Sequence, residues 1–416
     1  MDRIFISELK IEHVRHLKDI RIPLSNDKMK HLILTGKNGS GKTSVLEALG
    51  RNLEEAVSNR QKLEERNILS YEHQLHILQK MEEKSCQAEE LEKYIENLKK
   101  QLADTLAAGI SLEFSKPAEA VRYSYQKGEF ILAYYKAERI FQADVSNHIE
   151  KVELQDKYSI TETPRQVFVK YLADLKVTEA LARNNGKNDK ADAIKQWFDS
   201  FTNLLRKIFG DNSLELIFEE EGFSFRIREK GREPFDFNTL SSGFAAVLDI
   251  VLDLIVRMEK KTNRSFDFNI PGIVLVDEIE THLHIELQKS VLELLTTIFP
   301  NIQFIVSTHS PFILNSIPET VIYDLENHTL VEKGLADIPY GGIVEGYFRS
   351  SEMSKILEEK FERFKTLVRK QVLTDDDFEE IAGLEMFLNE IPDYLALNIT
   401  TEYQRLKLEL ESREDI

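Results

Sequence analysis

The stretch that most constrains this chain runs from His31 to Leu49, "HLILTGKNGSGKTSVLEAL". A compact strand-type run, His31 to Thr35, leads into Gly36-Lys37-Asn38-Gly39-Ser40-Gly41-Lys42-Thr43, and a helix-type pattern follows at once. The eight residues fit G-x-x-x-x-G-K-[ST], the phosphate-binding loop. Glycines let the backbone turn so that successive N–H groups point inward, and the helix start adds the positive end of its dipole. Asn38, Gly39, Ser40, Gly41, Lys42, Thr43 and Ser44 are therefore the expected phosphate cradle. Lys42 would reach the β- and γ-phosphates of ATP, and Thr43 would ligate Mg²⁺.

A loop of this kind needs a parallel α/β core, and the rest of the chain is patterned to supply one. "IFISELKIEHV", "LKDIRIPL" and "ISLEF" read as strands, as does the whole of "VRYSYQKGEFILAYYKA". Pro164 to Phe209 is helical with mixed charge, and "ARNNGKNDKADA" reads as a loop inside it. "LELIFEEEGFSFRIREKG" has the form of a hairpin. "GIVLVDE" and "IQFIVSTHS" are buried-type strands separated by the helix "ELQKSVLELLTTIF". From Gly50 to Gly109 there is no internal glycine or proline, and Ala88, Leu91, Ile95, Leu98 and Leu102 keep a 3-4 spacing. That segment reads as a coiled-coil arm or helical hairpin, with a long surface helix as the alternative.

Two further motifs carry chemistry. Ile273 to Val276 is an apolar run that ends in Asp277 and Glu278. A buried strand ending in carboxylates suits a Mg²⁺–ATP site, with Asp277 in the metal shell and Glu278 orienting or deprotonating water. "STHSP" follows the next strand, which places His309 at the crevice where α/β proteins hold their ligands. Between the phosphate loop and the acids stands "TLSSGFAAV", a serine-glycine turn at the head of an apolar helix.

In this order the motifs resemble the ABC-type ATPase heads of the SMC and RecF-like families. More narrowly, "LVDEIETHLH" and "FIVSTHSPFIL" resemble the overcoming-lysogenisation-defect group, which includes ATPase subunits of phage-defence systems of the Septu and PARIS kinds. The resemblance covers residues 1–50 and about 210–330. It implies a fold: an α/β ABC-type P-loop ATPase head with a mixed sheet, a long helical insertion after the P-loop helix and a helical C-terminal region. It also implies a head-to-head dimer or higher homo-oligomer with ATP held between subunits. Leu240, Ser241, Ser242 and Gly243 would then form the signature loop, with Ser242 and Gly243 against the partner's γ-phosphate. Glu280 to His284 would lie at the dimer contact, His309 would be the switch histidine, and Arg15 an arginine near the nucleotide. Two departures stand out: Ile285 replaces a frequent proline, and either Gln126 or Gln142 could be the glutamine-loop residue.

The expected organisation is 1–50 as the head's P-loop part, 51–108 as the helical insertion, 109–163 as head strands and 164–210 as a helical subdomain. Residues 211–342 would be the second part of the head, and 343–416 a helical region that docks a partner. That tail has no strand to present acids to a metal, so Asp375 to Asp377 read as a helix start and not as a nuclease centre. The implied partner is a separately encoded effector, with a nuclease as the leading candidate. The implied role is sensor or regulator in antiviral defence; the alternatives are a DNA-repair ATPase and an ATP-stabilised scaffold.

Composition narrows the classes further. Lys and Arg total 54 against 72 Asp and Glu, a net charge of −18, which disfavours a chain wrapped in nucleic acid. Lys187, Lys190, Lys195, Arg206 and Lys207 read as a solvated helix face, with nucleic-acid contact as the alternative. The single cysteine, Cys86, excludes an intrachain disulfide. No apolar run approaches the ~18 residues that span a bilayer, and no signal peptide is evident, so the expectation is a cytoplasmic chain without a membrane partner.

Overall fold

The computed structural model describes residues 3–58, 109–139, 141–144, 150–263, 265–339, 342–343, 355–389 and 397–412. From residue 59 onward the expected insertion, including Cys86, lies outside the described residues. Two compact units are present, Met1–Asp337 and Ile338–Ile416.

The first unit is built on two main sheets. β1 (Ile6–Val14) lies between β2 (Leu17–Pro23) and β4 (Ile110–Phe114), antiparallel to both. The larger sheet contains β3 (His31–Thr35), β5 (Ile131–Tyr135), β8 (Gly272–Val276), β9 (Ile302–Ser307), β10 (Thr320–Asp324) and β11 (Thr329–Val331). Its order is β11-β10-β3-β9-β8-β5, with only β11 antiparallel. The two numbers missing from that series, β6 (Glu215–Glu219) and β7 (Ser224–Arg228), form a separate hairpin. β3, β8, β9 and β10 are buried at every position, which is why they read as continuous apolar runs without alternation.

α1 (Lys42–Val57) lies between the sheets and presents Val45, Leu46, Leu49 and Leu53 to one core with Ile6, Leu9, Ile11, Leu34 and Leu275. At ~25 cal/mol per Å², each such fully buried side chain contributes roughly 1.5–3 kcal/mol. α2 (Ala118–Gln126) corrects the sequence reading. "VRYSY" alternates like a strand, but Val121 and Tyr125 are also four residues apart and both are buried on one helix face, and Pro117 caps the helix start. The segment 164–210 is a short 3₁₀ turn (Pro164–Val167), α3 (Phe168–Asn184) and α4 (Asn188–Phe209). The expected loop in it shrinks to Asn185–Lys187, because Ala191 and Ile194 already belong to α4's buried face. That face continues through Trp197 and Phe201, whose rings stack at 5.4 Å. Lys187, Lys190, Lys195 and Lys207 are exposed.

α5 (Ser242–Glu259) begins in the signature motif and is buried at every position from Ala246 to Glu259. It therefore buries Asp249, Asp253, Arg257 and Glu259, which demands partners. Asp253 accepts hydrogen bonds from Tyr135 Oη at 2.8 Å and Arg257 Nε at 2.6 Å. Arg165 pairs with Asp249, and Tyr171 Oη donates to Glu259 at 3.1 Å. α6 (Ile285–Ile298) and the short α7 (Pro311–Leu314) complete this unit.

The second unit contains α8 (Lys355–Val368), α9 (Asp375–Asn389) and α10 (Leu397–Glu411). Phe361, Phe364, Leu367, Ile381, Leu384, Tyr403 and Leu406 make its core. Asp375 to Asp377 are the first turn of α9. Thr374 and Asp377 close a capping box there: each backbone N–H bonds the other's side chain, at 2.8 and 3.3 Å.

Candidate functional site

Parallel pairing puts the carboxyl ends of β3, β9, β8 and β5 along one edge, in that spatial order. The phosphate loop follows β3, His309 follows β9 and the Asp277-Glu278 pair follows β8. Three segments far apart in sequence thus meet at the position where open α/β sheets bind ligands.

The phosphate loop bends as its glycines require. Gly41, the residue before α1, has φ 100°, and a Cβ there would stand 2.9 Å from Leu17 Cδ1. At Gly36, with φ 132°, a Cβ would come within 2.8 Å of Ser40 Oγ. Lys42 is buried, and its Nζ donates to the loop's own carbonyls, Gly36 O at 2.9 Å and Lys37 O at 3.2 Å. Burial pulls its ammonium below the usual lysine range, while Glu278, Glu280, Asp277 and Asp324 oppose that pull. Ser40 Oγ is buried without a hydrogen-bond partner. A buried ammonium bent back on its own loop, beside an orphaned hydroxyl, fits a phosphate group that would take over those bonds. Asn38, Gly39 and Thr43 are exposed around this cradle, and Ser44 is buried on α1. Arg15 sits at the β1–β2 turn with φ 53°; its neighbours His16 and Leu17 lie against Gly41, so the turn leans on the loop.

The acids after β8 are held from several sides. Asp277 is buried; its Oδ1 accepts from Ser307 Oγ at 2.5 Å, and its N–H donates to Tyr135 O at 2.8 Å. Ser307 Oγ also accepts the Glu278 N–H at 2.7 Å. Glu278 itself has φ 45°, a left-handed conformation rare for a side chain of this size. Thr281 Oγ1 donates to its Oε2 at 3.3 Å. Among the described residues no group of three or more His, Cys, Asp or Glu could cage a metal ion. The donor set at this edge, a hydroxyl (Thr43) and a carboxylate (Asp277), fits a Mg²⁺ that completes its shell with water and phosphate oxygens.

The His309 N–H donates to Glu280 Oε1 at 2.5 Å, while Glu280 Oε2 and His309 Nε2 are buried without partners. Ser310 Oγ donates to Gln288 Oε1 at 2.7 Å, which fastens the histidine loop to α6. Of the two glutamines, Gln126 ends α2 and its amide donates to Val57 O at 3.0 Å. Only Gln142 follows the carboxyl end of β5, and it is exposed.

The signature residues lie elsewhere in the unit. Ser241 and Ser242 are exposed and Leu240 half-buried at the start of α5, with no side-chain cap at that helix end. Gly243 is buried; a Cβ there would come 3.2 Å from His282 O, so the turn packs against the loop after the acids. Phe244 stacks on Phe209 at 4.2 Å and meets the His284 ring edge-on. Among the described residues no hydrogen bond or ion pair joins Leu240–Gly243 to the phosphate loop.

Sequence reasoning gave no role to Arg139, Ser307 or the Arg165–Asp249–Asp253–Arg257 cluster. Asp249 and Asp253 carried a signal, being acids four apart in an otherwise apolar helix. No helix among the described residues is long and apolar enough to cross a membrane.

A family model described as "AAA domain, putative AbiEii toxin, Type IV TA system" matches residues 91–315, more than half of the chain, beginning downstream of the phosphate loop. The chain is 24% identical over 393 residues to the Septu protein PtuA of Bacillus mycoides (strain KBAB4), covering 92% of this chain and 50% of that protein. It is 27% identical over 291 residues to the Retron Ec83 probable ATPase of Escherichia coli, covering 66% of this chain and 49% of that protein. The chain thus spans about half the length of the curated relatives it matches. A solved SMC head bound to the C-winged helix domain of ScpA aligns with a TM-score of 0.37 at 14% identity, over 78% of this chain and 93% of that one. With a parallel core, a glycine-rich phosphate loop and this family match together, the chain belongs to the AAA-domain ATPase family that the model describes.

Proposed function

We propose that this chain binds and hydrolyses ATP at sites shared between two copies of itself, and that the resulting closure controls a separately encoded effector in antiviral defence. The observation that carries the reading is a division within one subunit. The phosphate loop, the Asp277-Glu278 pair and His309 share one sheet edge, while Ser241 and Ser242 are exposed and, among the described residues, make no hydrogen bond or ion pair with the phosphate loop. A head-to-head pair would bring the exposed turn of one copy over the other's phosphate loop. The defence role rests on the motif resemblance together with the Septu and retron relatives.

In this reading Lys42 and the loop amides hold the β- and γ-phosphates. Thr43 and Asp277 would hold Mg²⁺, which would supply charge neutralisation on the transferring group. Glu278 orients a water whose oxygen bonds to the γ-phosphorus as the bond to the β–γ bridging oxygen breaks. The water's proton goes to the Glu278 carboxylate and ADP leaves. His309 would steady the γ-phosphate side; Gln142, after β5, and Arg15, in the β1–β2 turn, are the further residues assigned to the nucleotide. Ser242 and Gly243 of the second copy close the site.

The test is subunit mixing. Lys42→Ala and Ser242→Arg should each be inactive alone. In a one-to-one mixture half the dimers are mixed and each holds one intact site, so about a quarter of wild-type turnover returns. No recovery in a mixture shown by mass spectrometry to have exchanged subunits would rule out shared sites.

A further inference from the structure

Arg139 stands four residues beyond β5 and is buried, yet it belongs to none of the motifs. Its guanidinium makes four hydrogen bonds, all to backbone carbonyls. Nη1 donates to Lys136 O at 3.1 Å, within its own turn, and to Asp277 O at 2.7 Å. Nη2 donates to Glu278 O at 2.8 Å and to Ile279 O at 3.3 Å. One fork therefore grips three successive carbonyls of the acidic loop. The middle one belongs to Glu278, whose φ of 45° is costly for a side chain of this type. Ser307 Oγ holds the N–H of Glu278 from the other side. The backbone that aims the Glu278 carboxylate is thus fastened at both of its polar groups.

Burial lowers the pKa of Arg139, and the nearby carboxylates Asp249, Glu280, Asp277 and Glu278 oppose that pull.

We infer that Arg139 is a positioning residue for hydrolysis: it holds Glu278 in its left-handed conformation. This rests on the ATPase reading above. A lysine cannot replace the fork, because an ammonium donates from a single point and does not span three carbonyls.

The experiment uses the full chain with ATP and Mg²⁺, reading ATP affinity by calorimetry and turnover by phosphate release. Arg139→Lys should keep ATP affinity within about threefold and lower kcat about 100-fold, the scale of a reacting group displaced by about an ångström. Since Arg139 acts through Glu278, Arg139→Lys should add nothing to Glu278→Gln in single-turnover measurements. Wild-type turnover in Arg139→Lys overturns the inference, as does equal loss of affinity and turnover, or effects that multiply in the double variant. Should Arg139→Lys fail to fold, Arg139→Gln takes its place, and unchanged kcat there overturns the inference. A wild-type chain that binds no ATP sinks the ATPase reading together with this inference; the other results bear on Arg139 alone.

Discussion

The phosphate-loop edge and the signature turn come from the same compact unit but are finished to different degrees. At the edge several polar groups are held by this chain, while Ser40 Oγ, Glu280 Oε2 and His309 Nε2 are buried without partners. Lys42 is bent onto Gly36 and Lys37, Asp277 is bonded to Ser307, and the His309 N–H is held by Glu280. At the turn, Ser241 and Ser242 are exposed and α5 has no side-chain cap. Preorganised donors and acceptors cost no reorganisation during a reaction. An exposed turn with open N–H groups at a helix start is suited to receive an anion. The contrast is what the proposed shared site predicts: a cradle within one copy and a turn offered to another.

That contrast can be broken most sharply at Lys42. Lys42→Ala removes the ammonium proposed to hold the β- and γ-phosphates and should weaken ATP binding at least ~100-fold by calorimetry. Ser242→Arg should leave the affinity of an isolated subunit within a few-fold. Normal ATP affinity in Lys42→Ala would end the phosphate-loop assignment. Glu278→Gln should lower kcat by roughly 100-fold or more, retain ATP and favour the paired state on size exclusion. Normal turnover in that variant means that another group activates the water. Ser307→Ala tests how far the edge is preorganised. It strips the acceptor from the Glu278 N–H and should cost about 1–3 kcal/mol in denaturant unfolding; an unchanged midpoint would show the bond to be dispensable.

The smallest effect is a control in the other compact unit. Bonds from Lys370 and from the Thr374 N–H and hydroxyl hold the Asp377 carboxyl down to about 2, against an ordinary value of 3.8. A depressed carboxyl pKa contributes stability that is present above the unfolded value and is lost as pH falls through the folded one. Protection of the α9 amides, read as exchange relative to the intrinsic rate at each pH, should therefore fall between pH 4 and pH 2, and Asp377→Asn should flatten that dependence. The same pH profile in the variant would remove Asp377 as its source. Neither version should alter ATP affinity.

How much was legible in advance depended on the range of the interactions. β3, the loop and α1 were readable because strand pattern, glycine spacing and helix pattern are local. The carboxylates after β8 were readable because a buried strand of a parallel sheet must be apolar throughout, so its charged end stands out. "VRYSY" was misread because a five-residue segment satisfies both periods, and only the burial of Val121 with Tyr125 decides between them. Arg139 was invisible because its carbonyl partners lie 138 to 140 residues away, and backbone carbonyls leave no mark in a sequence.

By itself, then, the sequence determined the chemistry this chain can attempt: a phosphate cradle, two acids at a strand end, a histidine one strand over and a serine-glycine turn. Each is set by residue types within a few positions of one another. Only the tertiary structure decided which of these share an edge and which face outward. It alone bent Glu278 into a left-handed backbone and set Arg139 against it. The reason is that strand order, burial and a guanidinium's choice of carbonyls arise from packing between distant segments, which no local pattern encodes.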